Sequence, residues 1–213
     1  MTAAATATPA SRREAQKRDT ILRAALKVFA ESGLHGTPVP PIAAEAGVGV
    51  GTLYRYFDSK EALINAVFCD AKQRLQDHLL SDLDLLNPSR ALFDTLWARL
   101  TTFARQDPES FQFLEMQDHH SYLTPHSRSQ EQALLIPLGM MVIVGQRNGL
   151  LGEHLKPDLA IALFWGAFVG VFKAERLNYL TLDDDDLKRA RDACWFAIAN
   201  HNTPDNQHRD AAQ

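Results

Sequence analysis

Titratable side chains gather at one place in the chain where their spacing could support chemistry. Glu115 and His119 are four residues apart, which would put both on one face of a helix, and Asp118, His120 and His126 lie close by. Such a group could supply a general acid and base, or begin a metal site. No cysteine joins it, and we find no nucleophile elbow, phosphate loop or HExxH motif. We favour polar groups at a helix end, or groups that orient a ligand, and expect no catalytic residue, metal or cofactor.

A second pattern, in residues 37–63, is typical of nucleic-acid binding. Ile42 and Ala46 fall on the inner side of one short helix, and Leu53 and Phe57 fall on the inner side of the next. Gly47 lies between them, where a tight turn needs a positive φ. Two short helices joined by such a turn form a helix-turn-helix, whose second helix fits the major groove of DNA.

The same segment resembles the N-terminal domain of TetR-family transcription regulators. The matching residues are Thr37, Ile42, Ala43, Ala46, Gly47, Val48, Gly51, Thr52, Leu53, Tyr54, Tyr56, Phe57, Ser59, Lys60, Glu61 and Leu63. The preceding helix fits the family's first helix through Ile21, Ala24, Ala25, Phe29, Gly33 and Gly36. The resemblance covers about residues 18–65. It implies a homodimeric regulator with a ligand-binding C-terminal domain.

The resemblance and the chemistry of the exposed side chains together predict the DNA contacts. These are Thr37, Val50, Gly51, Thr52, Tyr54, Arg55, Tyr56 and Lys60. Tyrosine hydroxyls can donate to phosphate oxygens, the Lys60 ammonium can pair with a phosphate, and Val50 can contact a thymine methyl. The alternative for Tyr54 and Tyr56 is packing over the three-helix core.

Two departures from the family pattern weaken the predicted contact. Gly49 and Val50 stand where many relatives carry Ser-Lys, so one cation is missing. Pro40 and Pro41 remove amide donors from the start of the second helix. Residues 1–60 nevertheless carry a net charge of +3, against −7 for the remainder. Basic residues near the N-terminus would compensate by contacting DNA, or would only be solvated: Arg12, Arg13, Lys17 and Arg18.

Helical periodicity without strand alternation predicts an all-α fold of about nine helices. Thr37 is the expected N-cap of the second helix, and Pro137 is expected to kink or break the seventh. We divide the chain into a disordered N-terminal arm (1–11), the helix-turn-helix DNA-binding domain (12–60), a larger ligand-binding and dimerisation domain (61–201) and a flexible tail (202–213).

The C-terminal domain is expected to hold the effector and the dimer interface. Its large, soft side chains predict a ligand pocket lined by Phe93, Trp97, Phe113, Met116, His120, Tyr122, Met141, Trp165 and Phe168. The resemblance implies that the last two helices, about 158–178 and 183–201, form the dimer interface. Gly166 and Gly170 would allow close approach there, with Phe168, Trp195 and Phe196 filling the interface; ordinary intrachain core is the alternative.

The remaining composition is that of a soluble protein. Two cysteines without close spacing, no recognisable signal peptide, and apolar runs shorter than about 18 residues predict a cytoplasmic protein with no membrane partner. We therefore predict a regulator, most simply a repressor. As a dimer it binds a pseudo-palindromic operator of double-stranded DNA and is released by a small apolar or aromatic effector. Two alternatives are a ligand-binding protein with weakened DNA binding, and an enzyme that uses His119, His120 and His126.

Overall fold

The computed structural model describes residues 9–201, which form an all-α fold as predicted. Among these residues the only β feature is one isolated antiparallel bridge between Leu151 and Ala199. The nine helices are α1 (Pro9–Ser32), α2 (Val39–Glu45), α3 (Val50–Tyr56), α4 (Lys60–Leu80), α5 (Arg90–Gln106), α6 (Pro108–Met116), α7 (Pro125–Arg147), α8 (Pro157–Arg176) and α9 (Asp184–Ile198).

The structure corrects two local expectations and narrows a third. Residues 9–11, assigned to a disordered arm, already belong to α1; residues 1–8 of the arm and the predicted tail 202–213 lie outside the described residues. Pro38, and not Thr37, occupies the N-cap of α2, because the Thr37 hydroxyl turns back to donate to the Gly33 carbonyl at 2.5 Å. Pro137 does not break α7. It removes one amide donor, and the carbonyl so freed belongs to the exposed Ala133, where water can reach it.

The chain divides into two compact units. The first comprises the residues up to Arg74 together with Gln106–Gln130, and the second comprises Leu75–Arg105 and the residues from Glu131 onward. The division falls inside α4 and α7 and assigns α6 to the N-terminal unit. The boundary that we predicted after residue 60 lies just inside α4, which begins at Lys60, and the division between the units falls later in that helix, after Arg74.

A small apolar core fixes the helix-turn-helix in the first unit. Ile21 and Phe29 of α1, Ile42 of α2 and Leu53 of α3 are all fully buried, and each such side chain contributes about 1.5–3 kcal/mol. Phe113 of α6 extends this core, with its ring centroid 6.2 Å from that of Phe29.

A buried amide joins α4 to the loop that precedes α7. The Asn65 side chain donates to the carbonyl oxygens of Glu61 and Tyr122, both at 2.8 Å. Its oxygen accepts from the Thr124 amide at 2.9 Å and from the Ser127 hydroxyl at 2.5 Å. Because every polar atom of this buried side chain is paired, it fixes one register between the two segments.

The second unit is built around aromatic side chains. Phe93 and Trp97 of α5 meet Phe164 of α8 edge to face, with ring centroids 5.3 Å and 5.8 Å apart. Trp195 of α9 closes the group at 5.0 Å from Phe93. α9 begins with a capping box in which the Asp183 carboxylate accepts from two backbone amides. The acidic run therefore acts as a helix start, as its position beside the positive end of the helix dipole favours.

The predicted absence of a membrane-spanning helix needs qualification at α8. Among residues 9–201 this helix alone is long and apolar enough to cross a membrane. The sequence pattern did not indicate this, because the uncharged apolar run within the helix is shorter than about 18 residues. Length and composition are weak grounds for a span, since core helices of soluble proteins have both. Only 22% of its apolar window is buried, so the described residues leave much of this helix uncovered.

Candidate functional site

The geometry of α2 and α3 follows from the turn that joins them. Gly47 adopts a φ of +64°, and the amides of Gly47 and Val48 donate back to the carbonyls of Ala44 and Ala43. These bonds close α2 within one residue of its end. α3 can then start at Val50, because the extended Gly49 at its N-cap redirects the chain.

α3 shows opposite characters on its two sides. Leu53 is fully buried, and Phe57, at the C-cap, is 4% exposed. Val50 and Tyr54 on the other side are 37% and 43% exposed. A Cβ added at Gly51 would meet no atom within 4 Å. Within residues 9–201 nothing packs over Gly51, and Val50 and Tyr54 are exposed, so this face is free to approach a large partner.

The other predicted contact residues divide between this face and its edges. Arg55 is exposed, whereas Thr52 and Tyr56 are half-buried. Thr37 is only 5% exposed and its hydroxyl is committed to Gly33, so its side chain does not join the exposed face. The Lys60 ammonium donates to the Leu34 carbonyl at 2.8 Å, which ties the start of α4 to the turn after α1.

The basic N-terminal residues belong to α1. Every residue from Ala10 to Thr20 is exposed, which makes this part of α1 a polar extension beyond the packed core. Arg12, Arg13 and Lys17 project from it, and the guanidinium of Arg18 lies 5.3 Å from the centre of the Phe57 ring.

A small apolar cavity of about 40 Å³ lies in the C-terminal unit between α5, α7, α8 and α9. The polar member of its lining is Ser89, whose hydroxyl accepts from the Leu92 amide at the start of α5. The other lining residues are Pro88, Phe93, Leu96, Leu138, Met141, Val142, Leu150, Leu151, Ala160, Ile161, Phe164, Trp195 and Ile198. Such a site suits an uncharged ligand without polar groups.

The structure brings only some of the predicted ligand-binding residues to this cavity. Phe93 and Met141 line it. Trp97 and Phe168 pack against each other at 5.3 Å in the same unit, and Trp165 is half-buried on α8. The remaining four, Phe113, Met116, His120 and Tyr122, belong to the N-terminal unit.

The residues that sequence reasoning missed at the cavity are mostly aliphatic. Helical spacing did mark several of them as inward-facing, for example Leu138 with Val142 on α7 and Ala160 with Phe164 on α8. Nothing in that spacing distinguishes a side chain that borders a cavity from one that packs against another side chain.

The Glu115 and histidine cluster does not assemble into one site. Glu115 pairs with the buried Lys72 of α4 at 3.5 Å, and His120 is exposed. The His119 ring meets the Phe113 ring edge to face, with centroids 4.6 Å apart. Tyr122, which follows, donates to or accepts from His35 Nδ1 at 3.0 Å. Among the described residues, no three His, Cys, Asp or Glu side chains are placed to hold a metal ion.

Acid should destabilise the protein through His119. Burial, followed by the nearby Lys72 ammonium, lowers the pKa of His119 from its ordinary 6.5 to about 4. Between these two values the unfolded chain binds the proton and the native state does not, so the free energy of unfolding falls as the pH is lowered. The total loss is roughly 3 kcal/mol. Urea denaturation from pH 7.5 to pH 4 should show it.

The matched variant for that measurement is His119→Gln, which cannot titrate. Its free energy of unfolding should vary less steeply between pH 6.5 and pH 4 than that of the wild type. Equal slopes for the two proteins would show that other groups cause the acid sensitivity.

Comparison with known proteins covers both units. Residues 21–67 match the family model for bacterial regulatory proteins of the tetR family, and residues 68–200 match that for the tetracyclin repressor-like C-terminal domain. The regulator UidR of Escherichia coli K12 is 42% identical over 57 residues, which span 27% of this chain and only 29% of UidR. The repressor NicS of Pseudomonas putida is 30% identical over 69% of this chain and 65% of its own length. The repressor BepR of Brucella suis is 27% identical over 77% of this chain and 82% of its own length.

Solved structures show the same fold. A TetR-family regulator from Marinobacter aquaeolei VT8 superposes with a TM-score of 0.75 at 24% identity, covering 89% of this chain and 98% of its own. A putative TetR-family regulator from Vibrio parahaemolyticus superposes with a TM-score of 0.70 at 28% identity, covering 87% of this chain and 100% of its own. The C-terminal family model alone spans more than half of the chain. Helix-turn-helix, helical body and matches to both family domains agree, and the chain belongs to the TetR family of transcription regulators.

Proposed function

We propose that this protein represses transcription as a homodimer, binding a pseudo-palindromic operator through α3 and leaving it when a small, uncharged, apolar ligand binds. The observation that carries the proposal is the uncovered face of α3 above a buried Leu53, in a chain whose relatives include named repressors. A helix that is held rigidly from one side and free on the other fits the major groove.

Chemistry divides the proposed DNA contacts into two kinds. Val50 and Gly51 offer no hydrogen-bond donor from their side chains, so base contact there is apolar, and the thymine methyl is the matching group. Tyr54 and Arg55 carry exposed donors for phosphate. The Lys60 ammonium has three hydrogens and donates one to the Leu34 carbonyl, so two remain to donate to a phosphate.

The proposed dimer interface follows the uncovered stripe of α8. Leu159, Leu163, Gly166 and Gly170 are exposed at helical spacing, and Phe196 of α9 is 65% exposed. These residues support pairing of the last two helices of each protomer. Phe168, which we had placed in that interface, is 1% exposed and belongs to the core of its own protomer.

Selection against randomised duplex DNA tests the proposal. The full chain should enrich a palindrome, with half-sites whose centres are about 34–36 Å apart or a multiple of that distance. Affinity for the winning duplex should fall steeply with salt, because phosphate neutralisation releases counterions. A folded dimer that enriches no sequence would favour the other candidate, a ligand-binding protein that no longer reads DNA. The observation that supports this candidate is the lack of a cation in the first turn of α3.

Two single substitutions test the assigned contacts. Tyr54→Phe removes one hydroxyl and should lower operator affinity about five-fold, near the 1 kcal/mol of a typical hydrogen bond. Lys60→Ala should lower it about ten-fold and reduce the salt slope by about one. Electrophoretic mobility shifts over a range of salt concentrations measure both.

Matched controls lie far from α3 in the chain. Tyr179→Phe alters an 80% exposed tyrosine after α8, and Lys188→Ala removes an exposed ammonium on α9. Both should bind the operator as the wild type does. Wild-type affinity in Tyr54→Phe and Lys60→Ala as well would remove both residues from the interface.

A further inference from the structure

The apolar cavity lies directly behind the exposed stripe of α8. Ala160, Ile161 and Phe164 line the cavity from one side of this helix. Leu159 and Leu163, on the same two turns, are 48% and 39% exposed on the other side. A displacement of this part of α8 therefore changes the cavity and the exposed stripe together.

Part of the cavity lining comes from the two helices that carry the proposed dimer interface. α8 and α9 supply five of them, and α4 and α6 supply none. The walls that meet a ligand first are therefore α5, α7, α8 and α9.

The cavity is too small for any but the smallest ligand unless a wall moves. Its volume of about 40 Å³ holds only a few atoms, and close-packed interiors resist added volume unless backbone shifts. Leu96 of the α5 wall is 1% exposed. α8 has open space on its outer side, where a Cβ at Gly166 or Gly170 would meet no atom within 4 Å. Among the described residues, the outer side of α8 therefore leaves this wall room to move.

We propose that filling this cavity displaces α8 and weakens the dimer, so that ligand binding and dimerisation oppose each other. The inference rests on the dimer interface and the ligand site of the proposed function. A stripe that contains two glycines allows close approach between helices, and in a dimer packed that closely a shift of α8 would disturb the interface. The effect is reciprocal by thermodynamic linkage. The free energy by which bound ligand weakens the dimer equals the free energy by which dimerisation weakens ligand binding.

Benzene, which is uncharged and has no hydrogen-bonding group, is the probe for the full-length protein. Sedimentation equilibrium should show a dimer dissociation constant about ten-fold higher at saturating benzene than without it. By reciprocity, and because the ten-fold change is shared between the two sites of a dimer, the Gly166→Leu monomer should bind benzene about three-fold more tightly per site than the wild-type dimer. Fluorescence of Trp195, which lines the cavity, reports occupancy in both proteins, with Trp97 and Trp165 replaced by Phe.

A series of side chains at Ala160 tests the same inference without a ligand. Ala160 is 3% exposed and lines the cavity. Valine fits the existing space and should leave the dimer constant within two-fold. Leucine and then phenylalanine exceed that space and should raise the dimer dissociation constant progressively. The rise should reach about ten-fold for the larger variant that still folds. Ala104→Leu is the control, because Ala104 is equally buried on α5 but does not line the cavity.

The outcomes separate this inference from the proposed function. An unchanged dimer constant in Ala160→Leu and in the presence of benzene, with Gly166→Leu monomeric, would overturn the linkage and leave the interface standing. A tighter dimer with benzene bound would overturn it too. A Gly166→Leu protein that dimerises like the wild type would remove the interface and the inference together. Failure of benzene to bind, with Ala160→Leu weakening the dimer and Ala104→Leu not, would still support it.

Discussion

Replacing Gly51 with glutamate should lower operator affinity at least 100-fold while leaving the protein folded. A Cβ at Gly51 meets no atom within 4 Å, so the longer side chain extends into solvent without repacking. In the proposed complex it would place a carboxylate against the phosphates beside the major groove. A 100-fold loss corresponds to about 2.7 kcal/mol. Mobility shifts with the selected operator measure the affinity, and thermal unfolding verifies the fold.

Two variants at the same position separate charge from size. Gly51→Gln has nearly the same volume as the glutamate variant without its charge, so its deficit measures the steric part alone. Gly51→Lys should recover affinity relative to glutamine through attraction to phosphate. Raising the salt concentration should narrow the gap between glutamate and glutamine, because ions screen the repulsion. If all three variants bound operator like the wild type, α3 would not be the reading helix.

The DNA-binding element was predictable because its determinants are local. Gly47 is followed within three residues by a new helix, and its φ of +64° is the conformation for which glycine is needed. Leu53 and Phe57 are four residues apart, so one face of a single helix must bury both. Neither inference required knowledge of what lies far away in the chain.

The side-chain roles that were mistaken have two causes, a local competitor for the Thr37 hydroxyl and tertiary packing around the phenylalanines. Thr37 has the residue type of an N-cap, yet its hydroxyl donates a hydrogen bond to the nearby Gly33 carbonyl instead. Phe93 and Phe113 are equally apolar and both on helices, yet one borders the cavity and the other fills the core of the N-terminal unit. Residue type predicted that both would be buried and could not predict which would be left with space beside it.

Replacing Gly166 with leucine should convert the dimer to a monomer and remove most operator binding. In the protomer a Cβ at this position has open space around it, and leucine favours the helix by up to about 1 kcal/mol over glycine. The isolated protomer should therefore be at least as stable as before. In the proposed dimer the same side chain would separate two helices at their closest approach. Sedimentation should show the dissociation constant rising at least 100-fold.

The loss of operator binding follows from geometry and not from damage to α3. One protomer binds one half-site of the operator. Binding of the second half-site is favoured only in a dimer, because the second protomer is then already held next to the DNA. The variant should therefore bind an isolated half-site as well as the wild type does and lose only the advantage of the palindrome. Gly166→Ala, which adds one methyl group, should have a smaller effect, and Ala98→Leu on the exposed side of α5 should have none. A Gly166→Leu dimer as tight as the wild type would require another face to hold the protomers, and the exposed Ile136 and Met140 of α7 would then be the next residues to substitute.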